Sequence, residues 1–210
     1  MTQVCLCGAS DTTLWSELLS RETSRGALTA YELSEPYTNT VALETVSLGA
    51  AVALLNDLNW HLARFVADAL VLEPSVSETE WLSRELAAAI RHDEVAPVAS
   101  GQYLKIYGVT TDPSSAATDG TGDAPTDTNA NANANASSTD RLAPGAIGGV
   151  ETADTPGSQR QLVEPMFVKR ADASAAVPEY DLQPVAETVY VRVSKSEFVS
   201  GPGSGGDHGR

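Results

Sequence analysis

The chain has 210 residues, a formal net charge of −15 and two cysteines. Charge of that sign and size opposes binding to phosphate backbones and anionic membrane surfaces. Two cysteines build no disulfide framework, and the longest uncharged apolar run, Val46 to Leu55, is short of the ~20 residues that cross a bilayer.

Gln3 to Cys7 is predicted as a first strand ended by Gly8. Ser10 or Asp11 can cap a helix with Leu14, Trp15, Leu18 and Leu19 on one face, closed by Gly26. Leu28 to Leu33 reads as a second strand stopped by Glu35-Pro36. Strand, helix and strand with short joints predict a βαβ unit, right-handed if its strands are parallel.

The stretch from Glu44 to Leu72 is the expected centre of the fold. Wound at about 100° per residue, Leu48, Ala51, Val52, Leu55, Leu62, Val66, Ala69 and Leu70 share one side, while Asp57, His61, Arg64 and Asp68 share the other. A stripe that wide needs a partner layer. A break near Asn56–Asn59, and a strand within His61–Leu72, remain open; the continuing phase favours helix. Pro74 ends it.

Ser77-Glu-Thr-Glu80 is a capping box ahead of Leu82, Leu86, Ala89 and Ile90, which predicts a helix from about Glu78 to His92. Gln102 to Val109 alternates as a strand does. Residues 112–160 then carry Asn129-Ala-Asn-Ala-Asn-Ala-Asn-Ala136 and almost no large apolar side chain, so a disordered acidic insertion is expected there. Asn135-Ala-Ser137 matches a glycosylation acceptor, a match that chance explains in such a tract. Leu162 to Val168 reads as an edge strand because Pro165 cannot donate to a ladder. Thr188 to Ser194 sets Val189, Val191 and Val193 on one face, and a Gly/Ser tail runs from Gly201.

Three lysines stand against ten arginines, and residues 1–111, 112–160 and 161–210 carry net charges of −8, −5 and −2. Many carboxylates with few lysines suit a protein hydrated in concentrated salt, where screening removes most self-repulsion. Met1 to Gly8 has neither a basic n-region nor a long apolar h-region, so a cytoplasmic protein is expected.

Five stretches carry a likeness: Glu17-Leu-Leu-Ser-Arg-Glu-Thr23, Leu43-Glu-Thr-Val-Ser-Leu-Gly-Ala50, Leu54-Leu-Asn-Asp-Leu-Asn-Trp60, Glu80-Trp-Leu-Ser-Arg-Glu-Leu86 and Leu162-Val-Glu-Pro-Met-Phe-Val168. The chain resembles a haloarchaeal family of uncharacterised proteins, over its first 110 residues and its C-terminal strands. The resemblance implies a halophilic cytoplasmic setting and one domain. It brings no activity and no functional residues.

Candidate chemistry is sparse. Cys5 and Cys7 share a strand face, which fits two small buried side chains as well as a reactive thiol; His61, His92 and His208 are too scattered to complete a metal set. Gly8-Ala-Ser-Asp11 lies at a strand-to-helix joint where amides can meet an anion. It lacks the second glycine of a dinucleotide fingerprint and the lysine of a P-loop, and Asp11 would repel a phosphate. Asn59 is expected within the apolar stripe, where an unpartnered carboxamide costs about 1–3 kcal/mol. It would serve a structural network, mark a break in the helix, bind a ligand, or make a polar contact between two copies. The row Asp57, His61, Arg64 and Asp68 reads as a salt-bridged solvent face, and His92 as a cation at a helix C-terminus. Lys169, Arg170, Arg192 and Lys195, with Phe167, Tyr180 and Tyr190 nearby, are too few for a nucleic-acid module.

The sequence thus predicts one α+β (or α/β) domain, about three helices on a sheet of about five strands. Residues 1–111 and 161–198 supply it, 112–160 form the insertion, and 199–210 a disordered tail. The leading function is a non-catalytic binding or regulatory module adapted to high salt, with a homodimer allowed, no membrane and nucleic acid disfavoured. The alternative is an enzyme or small-ligand binder using Cys7, Gly8, Ser10, Asp11 and Asn59. The cofactor is left unknown.

Overall fold

A computed structural model describes residues 1–112, 159–172, 175–177 and 179–201. The Asn/Ala tract, the Asn135 triplet and the tail beyond Gly201 lie outside the described residues. In chain order the elements are β1 (Thr2–Gly8), α1 (Leu14–Ser20), α2 (Glu22–Leu28), β2 (Thr40–Thr45), α3 (Leu48–Asp57), α4 (Asn59–Phe65), β3 (Val66–Leu72), β4 (Trp81–Ser83), α5 (Arg84–Arg91), β5 (Tyr103–Asp112), β6 (Gln159–Leu162), β7 (Met166–Lys169), β8 (Glu187–Arg192) and α6 (Lys195–Ser200). This is an α+β domain, with six helices and eight strands among the described residues where about three and five were expected.

The strands form one mixed sheet in the order β2-β1-β3-β4-β8-β5-β6, with β7 also on β5. Among the described strands only β4 and β8 run parallel, Trp81 opposite Val191. Pro165 splits the expected edge strand in two: β6 pairs with Val109–Asp112 and β7 with Tyr103–Ile106, on the flank of β5 away from β8. The sheet curls until its ends meet. Thr38, just ahead of β2, donates its backbone N–H (2.7 Å) and its hydroxyl (3.1 Å) to the carbonyl of Arg160 in β6.

Alternation along the strands sorts the side chains into two faces. Val4, Leu6, Val41, Leu43, Ala69, Val71 and Leu82 point outwards and pack under Leu14, Leu18, Leu55, Leu58, Leu62 and Leu86 of the helices. Each such fully buried leucine contributes about 1.5–3 kcal/mol. Inside the curl lie Cys5, Cys7, Leu70, Tyr107, Val189, Val191 and Val193. A third cluster, Leu104, Ile106 and Tyr180, covers the outer face of the C-terminal strands.

Several expectations are corrected. The first helix does not run to Gly26: it kinks at Arg21, whose backbone is extended, and Gly26 sits within α2. No strand occupies Leu28–Leu33. Leu28 ends α2 and the rest is a loop tied to β2 by the Ser34–Ala42 bridge, and β1 and β2 are antiparallel neighbours, so no βαβ unit exists there. Ser47 caps α3 by accepting from the Ala50 N–H at 3.2 Å. The helix then breaks at Leu58, and Val66–Leu72 is a strand. The capping box gives only half its bonds. The Ser77 hydroxyl accepts from the Glu80 N–H at 3.1 Å, yet β4 follows and Ser83 caps the shorter helix α5. Past β8 the expected strand region to 198 ends in a helix, α6, which runs to Ser200 and for which Ser194 and Glu197 form a complete capping box. Among the described residues no helix is long and apolar enough to cross a membrane.

Candidate functional site

Because the sheet curls, side chains three strands apart meet across its hollow. Asp68 on β3 accepts from Lys105 Nζ and from the Tyr107 hydroxyl, both on β5. The row predicted as a solvent face is thereby overturned for two of its members, since Asp68 is half-buried in this bridge and His61 is buried. Burial first, then the Asp68 charge, pushes the Tyr107 phenol far above its usual range. A neutral phenol that donates to a paired carboxylate ties the hollow together and has no proton to exchange near neutrality.

A second buried network joins the segment ahead of β4 to the C-terminal strands. Glu80, ahead of β4, receives Arg170 Nη2 and, at 2.5 Å, Arg192 Nε. Arg192 Nη1 also donates to Ser100 Oγ at 3.1 Å. Two of the four basic residues weighed as a nucleic-acid patch are therefore committed to one carboxylate.

The open end of the hollow is different. A cleft of about 800 Å³ lies between the inner face of β1 and β2 and the loop 30–37, and reaches Trp81 on β4. Gln3 and Cys5 alternate along β1 and face it, opposite Glu44 and Ala42 of β2. The loop stands off the sheet because it is pinned at three points. Tyr31 N–H donates to Leu28 O (3.0 Å), Ser34 and Ala42 exchange two backbone bonds, and the Thr40 hydroxyl donates to Tyr37 O (2.6 Å). Tyr31, Glu32 and Tyr37 then complete the wall. Arg160, paired with Glu187, lies over the Tyr37 ring at 5.1 Å. Burial pushes the Tyr37 phenol up, with Arg160 opposing it. Met1 and Val46 stand exposed at the lip.

The residues singled out from sequence fall elsewhere, apart from the Cys5 neighbour of Cys7. Cys5 and Cys7 are buried free thiols inside the curl. The Cys7 thiol is pushed well up by its hydrogen bond with Cys5 and by burial, which keeps it protonated. At the turn after β1, the space a side chain at Gly8 would occupy is filled by the Asn39 carboxamide, 2.5 Å away. Asn39 adopts φ 57° and accepts from the Leu14 N–H at 2.8 Å. Gly8 and Ala9 donate their N–H groups to Asn39 O and Phe65 O, both at 2.9 Å. Asn39 thus stands where Ser10 or Asp11 was expected to cap α1; both of those are exposed. Asn59 is exposed rather than in the apolar stripe, because the break at Leu58 resets the helical phase. It accepts from Arg84 Nη2 at 2.8 Å. Among the described residues no group of three or more His, Cys, Asp and Glu is placed to hold a metal.

Sequence reasoning missed the cleft. The one available signal was Gln3 and Glu44, polar residues in phase with buried strand neighbours, at the ends of two strands.

The curled mixed sheet, helices α1 to α5 on its outer face and an open inner end define an α+β domain with a cleft. Residues 2–109 match a family of unknown function, DUF5804, and the chain belongs to it. No curated protein and no solved structure matches the chain significantly.

Proposed function

We propose that this chain is a non-catalytic binding module, adapted to concentrated salt, that takes a small ligand in the cleft beneath loop 30–37. The single observation that carries the reading is the cleft itself. It offers about 800 Å³ between a pinned loop and the inner face of the sheet, a size in the range of ligand pockets generally. Against a catalytic role, Asp68 and Glu80 are already bonded to cations, and the Gly8 turn is closed by Asn39. The acidic, lysine-poor composition supports the high-salt part of the reading.

The test is a thermal-shift screen of chemically varied metabolites in molar KCl, with hits re-examined in Ala42→Trp, which fills the cleft floor. The reading expects a saturable rise in melting temperature that the filled variant loses. Hits unaffected by that substitution would place the ligand elsewhere and sink the proposal. Melting that falls as KCl rises would remove the salt-adapted part.

A further inference from the structure

Resting on the cleft reading above, we infer that the cleft selects a small organic ammonium ion, a positive head on an apolar body, over neutral and anionic ligands. The argument is charge complementarity. Glu32 and Glu44 line the cleft, and among the described residues no lysine, arginine or histidine side chain does. Among the described residues neither carboxylate belongs to an ion pair; Glu44 receives only the neutral Gln3 amide, at 3.2 Å.

Two rings, Tyr31 and Trp81, supply the rest of the recognition, since Arg160 already covers a face of Tyr37. Aromatic faces attract cations, most strongly when the cation is poorly hydrated. That preference decides the class of ligand in concentrated salt. At molar ionic strength the screening length is about 3 Å, so distant attraction disappears and contact pairing remains. Hydrated alkali ions keep their water and gain little from a ring. An alkylammonium ion gains both the carboxylate contact and burial of its apolar body. A phosphate or carboxylate ligand would meet two like charges.

The experiment follows the three tryptophan indole N–H signals in ¹H–¹⁵N spectra of the full chain in molar KCl, with the Trp81 signal assigned by Trp81→Phe. Probes are n-butylammonium, n-butanol and butyrate. The expected result is a saturable shift of the Trp81 signal with butylammonium alone, weakened on the order of tenfold in Glu44→Gln. Equal affinity for butanol or butyrate, lost in Ala42→Trp, would overturn the cation assignment while leaving the cleft reading intact. A Trp81 signal unmoved by all three probes would overturn both. A lysine-bearing tripeptide binding more tightly than butylammonium would overturn the small-ligand source in favour of a peptide side chain.

Discussion

Replacing Glu80 by alanine tests how the C-terminal strands are held to the rest of the domain. The Glu80 side chain is 10% exposed, Arg170 4% and Arg192 13%, so this is a buried pair of ion pairs sharing one carboxylate. Removing one partner of a buried pair costs about 3–5 kcal/mol, because the charge left behind has lost its compensation. Against a typical stability of about 5–15 kcal/mol, that is a large fraction. Denaturant titration of Glu80→Ala in about 0.5 M and about 3 M KCl should give the same loss at both, since solvent ions screen buried charges weakly. Glu80→Gln keeps hydrogen-bonding atoms and should fall between alanine and wild type. Adding Arg192→Ala to Glu80→Ala should cost less than the two single losses combined, as expected for contacting groups. A loss below about 1 kcal/mol, the value of an exposed pair, or one that vanishes at high salt, would refute the reasoning.

Asp112 and Gln159 are direct partners across β5 and β6, so a two-residue Asn-Gly turn should replace residues 113–158; cooperative melting should survive, with a gain of about 1–3 kcal/mol from the shorter closure, and loss of cooperativity would count against it. A side chain at Gly108 would meet Val185 at 2.5 Å and Tyr180 at 2.9 Å, so Gly108→Ala should cost about 1–3 kcal/mol in denaturant titration. Burial, followed by the Arg21 charge, holds the His61 imidazole below its usual range. The unfolded chain then takes up a proton near pH 6.5 that the folded chain refuses. Stability should fall as pH drops below about 6.5, by at most about 1.4 kcal/mol per pH unit, and His61→Gln should flatten that slope between pH 7 and 5.

Local patterns were legible where one element decided them. Strands β5 and β8 announce themselves by alternation and β1 by a short run ended by Gly8, while Pro165 reads as the mark of an edge strand and instead splits it into β6 and β7. Val66-Ala-Asp-Ala-Leu-Val-Leu72 was misread because its apolar positions fit a helix in phase with Leu62 as well as a strand. The sheet won by pairing it with β1. Ser77 and Glu80 fit a helix start, but two arginines from the far end of the chain hold the Glu80 carboxylate, a competition no local window contains. Asn59 was misplaced by carrying one helical wheel across the break at Leu58. The cleft draws on β1, β2, β4 and a loop read as a strand. Its residues are neighbours only once the sheet has curled.

Strand β8 lies between β4 and β5, although β4 and β5 are made long before it. On the ribosome, the emerging β5 therefore has no ladder joining it to the earlier strands, and the flank of β4 that receives β8 waits empty. Completion is deferred until β8 itself has been made. The same vacancy makes β8 the segment whose synthesis as a separate peptide would let two halves of this protein reassemble.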